Sequence, residues 1–262
     1  MGESAIDDGR VRRSSMWIIV GYGGAQVLRF LSNVILSRML YEEAFGLMAI
    51  VGSVLQGLEL FSDIGIRPSI IRSEREDRRF LDTAWTLQAL RGLILGLIAI
   101  GLTRPVAAFY DAPELIYLLP IAVVGSFIDS LQSTKLATET RELNLRRLEI
   151  TTLVSQAMAV LGMVGWAAVD PTVTSLAAGA ILGSITRLLM SHFYLPGPVN
   201  RFAWDKDAVT EVVTFGRWIL LSTLIHFASS QSDKLIFGKL LTMEALGVYH
   251  MGAVIARLPV DA

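Results

Sequence analysis

Leu36-Ser37-Arg38-Met39-Leu40-Tyr41-Glu42-Glu43-Ala44-Phe45-Gly46-Leu47 returns further along the chain as Phe237-Gly238-Lys239-Leu240-Leu241-Thr242-Met243-Glu244-Ala245-Leu246-Gly247-Val248. Arg38 lies over Lys239, Leu40 over Leu241, Glu43 over Glu244, Ala44 over Ala245 and Gly46 over Gly247, a constant offset of 201 residues. Both stretches sit where one apolar segment hands over to the next. So dense a match across a helix–turn–helix junction predicts a duplicated membrane bundle whose second copy has just begun when the chain stops. Internal duplication is common in secondary transporters.

The composition agrees with a membrane setting. Of 262 residues, 53% are hydrophobic and 18% charged, with a mean hydropathy of +0.53. An ordinary soluble domain is nearer 45–50% apolar and about 25% charged. There is no cysteine, which excludes disulfides and thiolate metal sites. The basic residues sit in short separate connections rather than along one face, so no nucleic-acid footprint is present.

A helix needs about 20 apolar residues to cross a hydrocarbon core of ~30 Å. Eight segments are expected to do so: 16–37, 45–66, 83–103, 115–136, 150–169, 174–195, 217–238 and 244 to the end. The punctuation between them includes Arg104-Pro105, Asp170-Pro171 and Pro196-Gly197-Pro198. The resulting layout is a tail (1–15), a first six-helix bundle (16–195), a linker with an amphipathic helix over Trp204–Phe215 (196–216), and an incomplete second bundle (217–262). A shorter amphipathic helix is expected over Glu139–Leu148. The basic tail before the first apolar run reads as the flank of a retained span rather than of a cleaved signal. The fold class is all-α, a polytopic bundle with about eight spans and a truncated second half.

Charge placement sets the orientation. Fifteen Lys and Arg residues fall in the connections on one side, from Arg10 through the Arg67–Arg79 cluster to Arg217. Only Arg38, Arg104 and Lys239 fall on the other. The positive-inside rule makes the first side, with the N-terminus, cytoplasmic. Six spans return the chain to that side, so the second copy enters in the same direction and the repeat is parallel.

Gly24-x-Gln26, then Leu36-Ser37-Arg38-Met39-Leu40-x-x-Glu43-x-Phe45-Gly46, then Leu60-Phe61-Ser62-Asp63-Ile64-Gly65-Ile66 resemble the opening of the Wzx-like polysaccharide-transporter flippases. So does the later run Ser232-Asp233-Lys234-Leu235-Ile236-Phe237-Gly238-Lys239-Leu240-Leu241 with Glu244-Ala245-Leu246-Gly247-Val248-Tyr249. These flippases belong to the multidrug/oligosaccharidyl-lipid/polysaccharide exporter superfamily. The resemblance implies two six-helix bundles around a central cavity in the bacterial cytoplasmic membrane. It also implies an undecaprenyl-diphosphate-linked oligosaccharide as cargo, for O-antigen, capsule or exopolysaccharide assembly. Membrane lipids, a polysaccharide polymerase and chain-length proteins are the implied partners. Two departures stand out: Tyr41-Glu42 replaces a frequent Gly-Pro, and helices nine to twelve are missing from this chain.

Ionisable residues within spans cost several kcal/mol against lipid and therefore face protein or water. Arg29, ~20 Å into the first span at 1.5 Å per residue, is a candidate to meet a diphosphate; its other reading is an ion pair with Glu59. Glu59 and Asp63, four apart on one helical face, are candidates for a coupling proton or sodium ion, or simply neutralise Arg29 and the Arg67 cluster. Asp233 and Lys234 lie deep in the seventh segment, with Lys234 over Asn33 by the repeat offset. Arg257 overlies Gln56 in the same way. Arg91 is a further cavity candidate, and it and Arg187 either contact substrate or snorkel to the surface. Asp129 is expected to offset a neighbouring cation. Gly92-x-x-x-Gly96 and Gly179-x-x-x-Gly183 predict close helix crossings.

A drug/cation antiporter of the same superfamily is the nearest alternative, disfavoured by the mid-depth cations Arg29, Lys234 and Arg257. A membrane glycosyltransferase or polymerase would call for a large outer loop with catalytic acids, and the longest outer connection, Arg104 to Glu114, holds only Asp111 and Glu114. No Gly-x-x-x-x-Gly-Lys-Ser/Thr loop points to a nucleotide-driven pump. No catalytic residue, metal site or cofactor is expected beyond the coupling ion.

Overall fold

The computed structural model describes residues 8–62, 65–73, 75, 77–214, 236, 237 and 239–257. Every regular element among them is helical: α1 (Asp8–Met39), α2 (Glu42–Phe61), α3 (Ile66–Arg72), α4 (Arg78–Tyr110), α5 (Leu115–Ser130), α6 (Lys135–Arg141), α7 (Leu145–Ala167) and α8 (Thr174–Leu189). A π-turn (Met190–Tyr194) extends α8, and α9 (206–214) and α10 (Met243–Arg257) follow. Four described helices are long and apolar enough to cross a membrane: α2, α4, α7, and α8 with its π-turn. The pair α5 and α6, bent by 55°, makes a fifth if counted as one span. Five of the expected segments thus correspond to α2, α4, α5–α6, α7 and α8, and the first lies on α1. The seventh, 217–238, falls almost wholly outside the described residues, while α10 occupies the start of the eighth.

The helices pack in the spatial order α1, α7, α8, α5, α4, with α2 against α5 and α10. Both small-residue runs sit at crossings. A Cβ on Gly179 would overlap Met163 of α7, and one on Gly183 would come within 2.8 Å of Ala159. A Cβ on Gly92 would overlap Ser130, and one on Gly96 would press on Val123 at 3.2 Å. Small residues let backbones approach where lipid supplies no hydrophobic drive between helices.

The apolar interior is split. The larger cluster joins Leu36, Leu40, Phe45, Leu47, Ile50, Tyr110, Leu115, Leu118, Leu119, Val173, Leu176 and Leu246. These residues belong to the α1–α2, α4–α5 and α7–α8 junctions and the start of α10, so those junctions meet at one end. The smaller cluster, Ile66, Ile70, Phe80, Ala84, Leu87, Ala137, Ala208 and Val212, ties α3, α4, α6 and α9 together at the other. The Arg67–Arg79 cluster, Arg141, Arg146, Arg147, Arg201 and Lys206 lie in the connections at that second end.

Three local expectations are corrected. Arg104-Pro105 does not end a helix: α4 continues to Tyr110, where Asp111 turns the chain with a φ of 53°. Pro105 lies inside the helix, where it costs the backbone bond to Gly101 but does not stop the helix. No single helix spans Glu139–Leu148, because α6 stops at Arg141 and Leu143 adopts a φ of 57° before α7 begins. The linker helix α9 buries Ala208 and Val212, four apart, against α3 and α4, while Val213 is left exposed. Its apolar face is therefore occupied by protein.

Candidate functional site

A polar cavity of about 310 Å³ opens among α2, α3, α4, α5 and α6. Helical spacing aligns its walls: Gln88, Arg91 and Leu95 from α4, and Ser126, Asp129 and Ser130 from α5. The last turns of α2 contribute Glu59, and Gly65 takes a φ of 61° to start α3 with Arg67 turned to the cavity. Glu59, Arg67 and Asp129 are exposed although helices surround them, so the cavity admits water.

The charges are held in place. Arg91 Nε donates to Ser62 Oγ at 3.0 Å, and its Nη2 donates to the carbonyl oxygen of Glu59. A cation thus closes the C-terminal end of α2, where unpaired carbonyls and the helix dipole favour positive charge. The Glu59 carboxylate accepts from Ser126 Oγ at 2.8 Å, fastening α2 to α5. Asp129 accepts from Ser184 Oγ at 3.0 Å and from Gln132 Nε2 at 2.5 Å, and lies in the fields of Arg187 and Glu59. Arg187 also acts on Arg67, whose pKa is drawn below the ordinary value first by enclosure in protein and then by that like charge. The Nε of Arg187 is buried with no hydrogen-bond partner. Three guanidinium groups and two carboxylates therefore converge, interleaved with hydroxyls and amides. Such a lining can bind a hydrated polar group through many exchangeable hydrogen bonds.

The cavity floor is the turn from Leu131 to Lys135. Gln88 Nε2 donates to the carbonyls of Ser130 (2.8 Å) and Gln132 (3.1 Å), and Trp85 Nε1 donates to that of Leu131 at 3.0 Å. Asn200 Oδ1 accepts from Ser133 Oγ at 2.6 Å, and Asn200 Nδ2 donates to Thr134 Oγ1 at 2.8 Å. The buried Lys135 ammonium donates to the carbonyls of His192 (2.8 Å) and Leu195 (3.2 Å), closing the end of the π-turn.

Of the residues singled out in the sequence, Arg91, Glu59 and Asp129 come together in this cavity, Asp129 in the field of the cation Arg187. Arg29 does not line it and makes no ion pair among the described residues, with Glu59 or any other. Arg29 is itself exposed, as are its neighbours Val27, Phe30, Leu31 and Val34, although ~100° per residue puts it within ~40° of the buried Ala25 and Leu36. Asp63, Asp233 and Lys234 fall outside the described residues, as does the side chain of Arg257. Sequence reading missed Arg67, Gln88, Ser126, Ser130 and Gln132 as lining residues. A signal was available in Gln88-x-x-Arg91 and Ser126-x-x-Asp129-Ser130, polar residues one turn apart within apolar helices.

The sequence profile of a family described as "Polysaccharide biosynthesis protein" matches residues 35–262. The succinoglycan biosynthesis transport protein ExoT of Rhizobium meliloti is 23% identical over 95% of this chain and 50% of its own length. The teichuronic acid biosynthesis protein TuaB of Bacillus subtilis is 21% identical over 77% of this chain and 42% of its own length. The lipopolysaccharide biosynthesis protein WzxC of Escherichia coli is 22% identical over 92% and 48%. The chain spans about half the length of the curated relatives it matches. No solved structure matches it.

Proposed function

The chain belongs to the polysaccharide biosynthesis protein family, and from that premise we propose that it works as a multi-pass exporter that moves lipid-linked oligosaccharide across the bacterial cytoplasmic membrane. The observation that carries this reading is the water-admitting cavity at the arginine-rich end of an otherwise apolar bundle. A lipid-linked sugar has an anionic, strongly hydrated head and a tail that stays in lipid. Guanidinium groups suit the phosphates, while hydroxyl, amide and carboxylate groups suit sugar hydroxyls. The succinoglycan transport relative supports transport as the process. On this reading the arginine-rich end and the N-terminus face the cytoplasm, and about eight spans in a parallel repeat build one full bundle and the start of a second.

Arg91 and Glu59 are the cavity residues proposed to act on the cargo and on a coupling proton or sodium ion. Arg29, Lys234 and Arg257 are proposed as further cations on the cargo path, with Asp63 and Asp233 as ion-pair or ion-coupling partners. A polymerase and chain-length proteins are the proposed neighbours in the pathway. The test is deletion of the gene with assay of surface polysaccharide, followed by complementation with the unaltered chain, Glu59→Gln, Arg91→Ala and Arg29→Ala. The expected result is restored polysaccharide with the unaltered chain and at least tenfold less with the variants at equal membrane abundance. Deletion that leaves surface polysaccharide intact refutes the reading.

A further inference from the structure

Between the π-turn and α9 the chain is an irregular strap, residues 195–205. Its backbone and one side chain tie it to the bundle. The Leu195 carbonyl accepts from Lys135 Nζ, and Asn200 bonds Ser133 and Thr134. Further on, the Arg201 N–H donates to Asp82 Oδ1 at 3.1 Å and the Ala203 N–H to Thr86 Oγ1 at 3.0 Å. Asp82 and Thr86 are four apart, ~6 Å along α4, which is about the length of two residues of extended chain. The strap therefore runs straight beside α4, in the direction in which α4 enters the bundle.

The outward side of this strap is aromatic. Phe202 is 76% exposed and Trp204 56%, and Phe193 on the adjoining π-turn is 78% exposed. Trp85 gathers them, because its ring meets Phe202 edge-on at 5.0 Å and His192, next to Phe193, at 6.4 Å. Tyr194 and Val199 are exposed as well. Since α9 spends Ala208 and Val212 on α3 and α4, the free apolar surface of the linker lies on the strap and not on the helix.

The depth of the patch follows from its neighbours. At 1.5 Å per residue, the 33-residue α4 is ~50 Å long against a hydrocarbon core of ~30 Å, so its ends stand in the headgroup layers. Arg78, Arg79 and Asp82 fall within its first five residues, whereas residues 83–102 carry the single charge Arg91. Asp82 and Thr86 thus mark the boundary at the arginine-rich end, and the strap lies beside them. On α8 the exposed Ile185, Leu189 and Phe193 follow one another at four-residue intervals, so the patch continues a lipid-facing stripe. Arg201 and Lys206 are offset by Asp205 and Asp207, which leaves aromatic contact rather than net charge to select the partner. Tryptophan, with an apolar body and one N–H, suits the layer between hydrocarbon and water.

We propose that the strap 199–204, with Phe193, docks into the phospholipid headgroup layer at the arginine-rich end and holds the linker at a fixed depth, the interfacial role that the sequence had pointed to in α9. The docking needs only a membrane-embedded bundle and is independent of the cargo.

The absence of native cysteine permits a direct test. Phe202→Cys in the full chain is labelled with an NBD maleimide and placed in phosphatidylcholine nanodiscs. The label is expected to be quenched at least twofold more by a phosphatidylcholine with a nitroxide on its headgroup than by one with the nitroxide at mid-chain. Aqueous iodide should quench it at least threefold less than the same dye on free cysteine. Adding Trp204→Ala, at an exposed position, should at least double the iodide quenching. Iodide quenching equal to that of the free dye puts the strap in water and overturns the proposal. Quenching by neither lipid nor iodide, the sign of a protein cover, overturns it too, as does stronger quenching from mid-chain. No change with Trp204→Ala overturns the tryptophan as anchor.

Discussion

The two ends of this bundle are built from different materials. At the end where α1–α2, α4–α5 and α7–α8 turn, the interior is leucine, isoleucine and phenylalanine around a glycine crossing. At the other, short helices and turns are held by side chains bonding to carbonyls and hydroxyls, and a cavity lined by four charged groups opens between them. Dry packing resists disruption through lost contact and cavity cost. A hydrogen-bonded end instead resists through the penalty for stranding a buried donor or acceptor. The comparison teaches that rigidity and solvation are segregated along the helix axis, so one end can hold while the other admits a polar guest.

The largest effect should come from breaking the dry end. Leu118→Ala, at a fully buried position beside Leu115 and Leu119, is expected to cost about 2–5 kcal/mol. Thermal unfolding in detergent would check it, and a drop no larger than that of an exposed-site control would show this end to be loosely packed. Next is the polar end. Lys135→Met leaves the His192 and Leu195 carbonyls without their donor, at about 1–3 kcal/mol. Hydrogen exchange should then quicken in residues 190–195 and leave the α7–α8 junction unchanged.

A smaller effect is expected from Arg91→Ala, which frees the end of α2 by removing the bonds to Ser62 and the Glu59 carbonyl. Exchange at the amides of Leu60–Ser62 should rise about tenfold, about 1.4 kcal/mol of local opening. The smallest is a pH effect. Asp77 caps α4 by accepting from the Phe80 N–H at 3.0 Å. Its pKa is lowered, chiefly by the Arg75 hydrogen bond, with burial opposing it and the cap adding a smaller lowering. A depressed carboxyl contributes stability that is present above its unfolded pKa and is lost as pH falls through the folded one. Since both partners are more than a third exposed, the loss below about pH 4 should be on the order of 0.5 kcal/mol. Asp77→Asn should flatten that part of the stability profile.

Much of the architecture was legible in the sequence because it depends on local patterns. Long apolar runs specify helices, and the small-residue pairs at Gly92/Gly96 and Gly179/Gly183 specify where helices approach. Pro105 misled because a proline lowers helix propensity locally, whereas α4 runs through it and stops only where Asp111 adopts the left-handed conformation. The cavity was half legible. Glu59 and Arg91 stood out as charges in apolar helices, but the contributions of Arg67 and the turn Gln132–Thr134 came from connections that only folding brings over the cavity. Arg91 was legible as a cation within an apolar helix and not as the residue that closes the end of α2, since that role needs the position of a second helix.

The chain's own order of residues determined that it is helical and apolar, that its charges gather in alternate connections, and that one junction is written twice. Those are properties of single segments and follow from composition and spacing. The tertiary structure alone decided that the two copies of the junction face each other across Gly46 and Gly247, and that Glu59, Arg67, Arg91 and Asp129 share one solvated space. Contact between distant segments depends on how whole helices pack, and no periodicity within one helix encodes which neighbour it will meet.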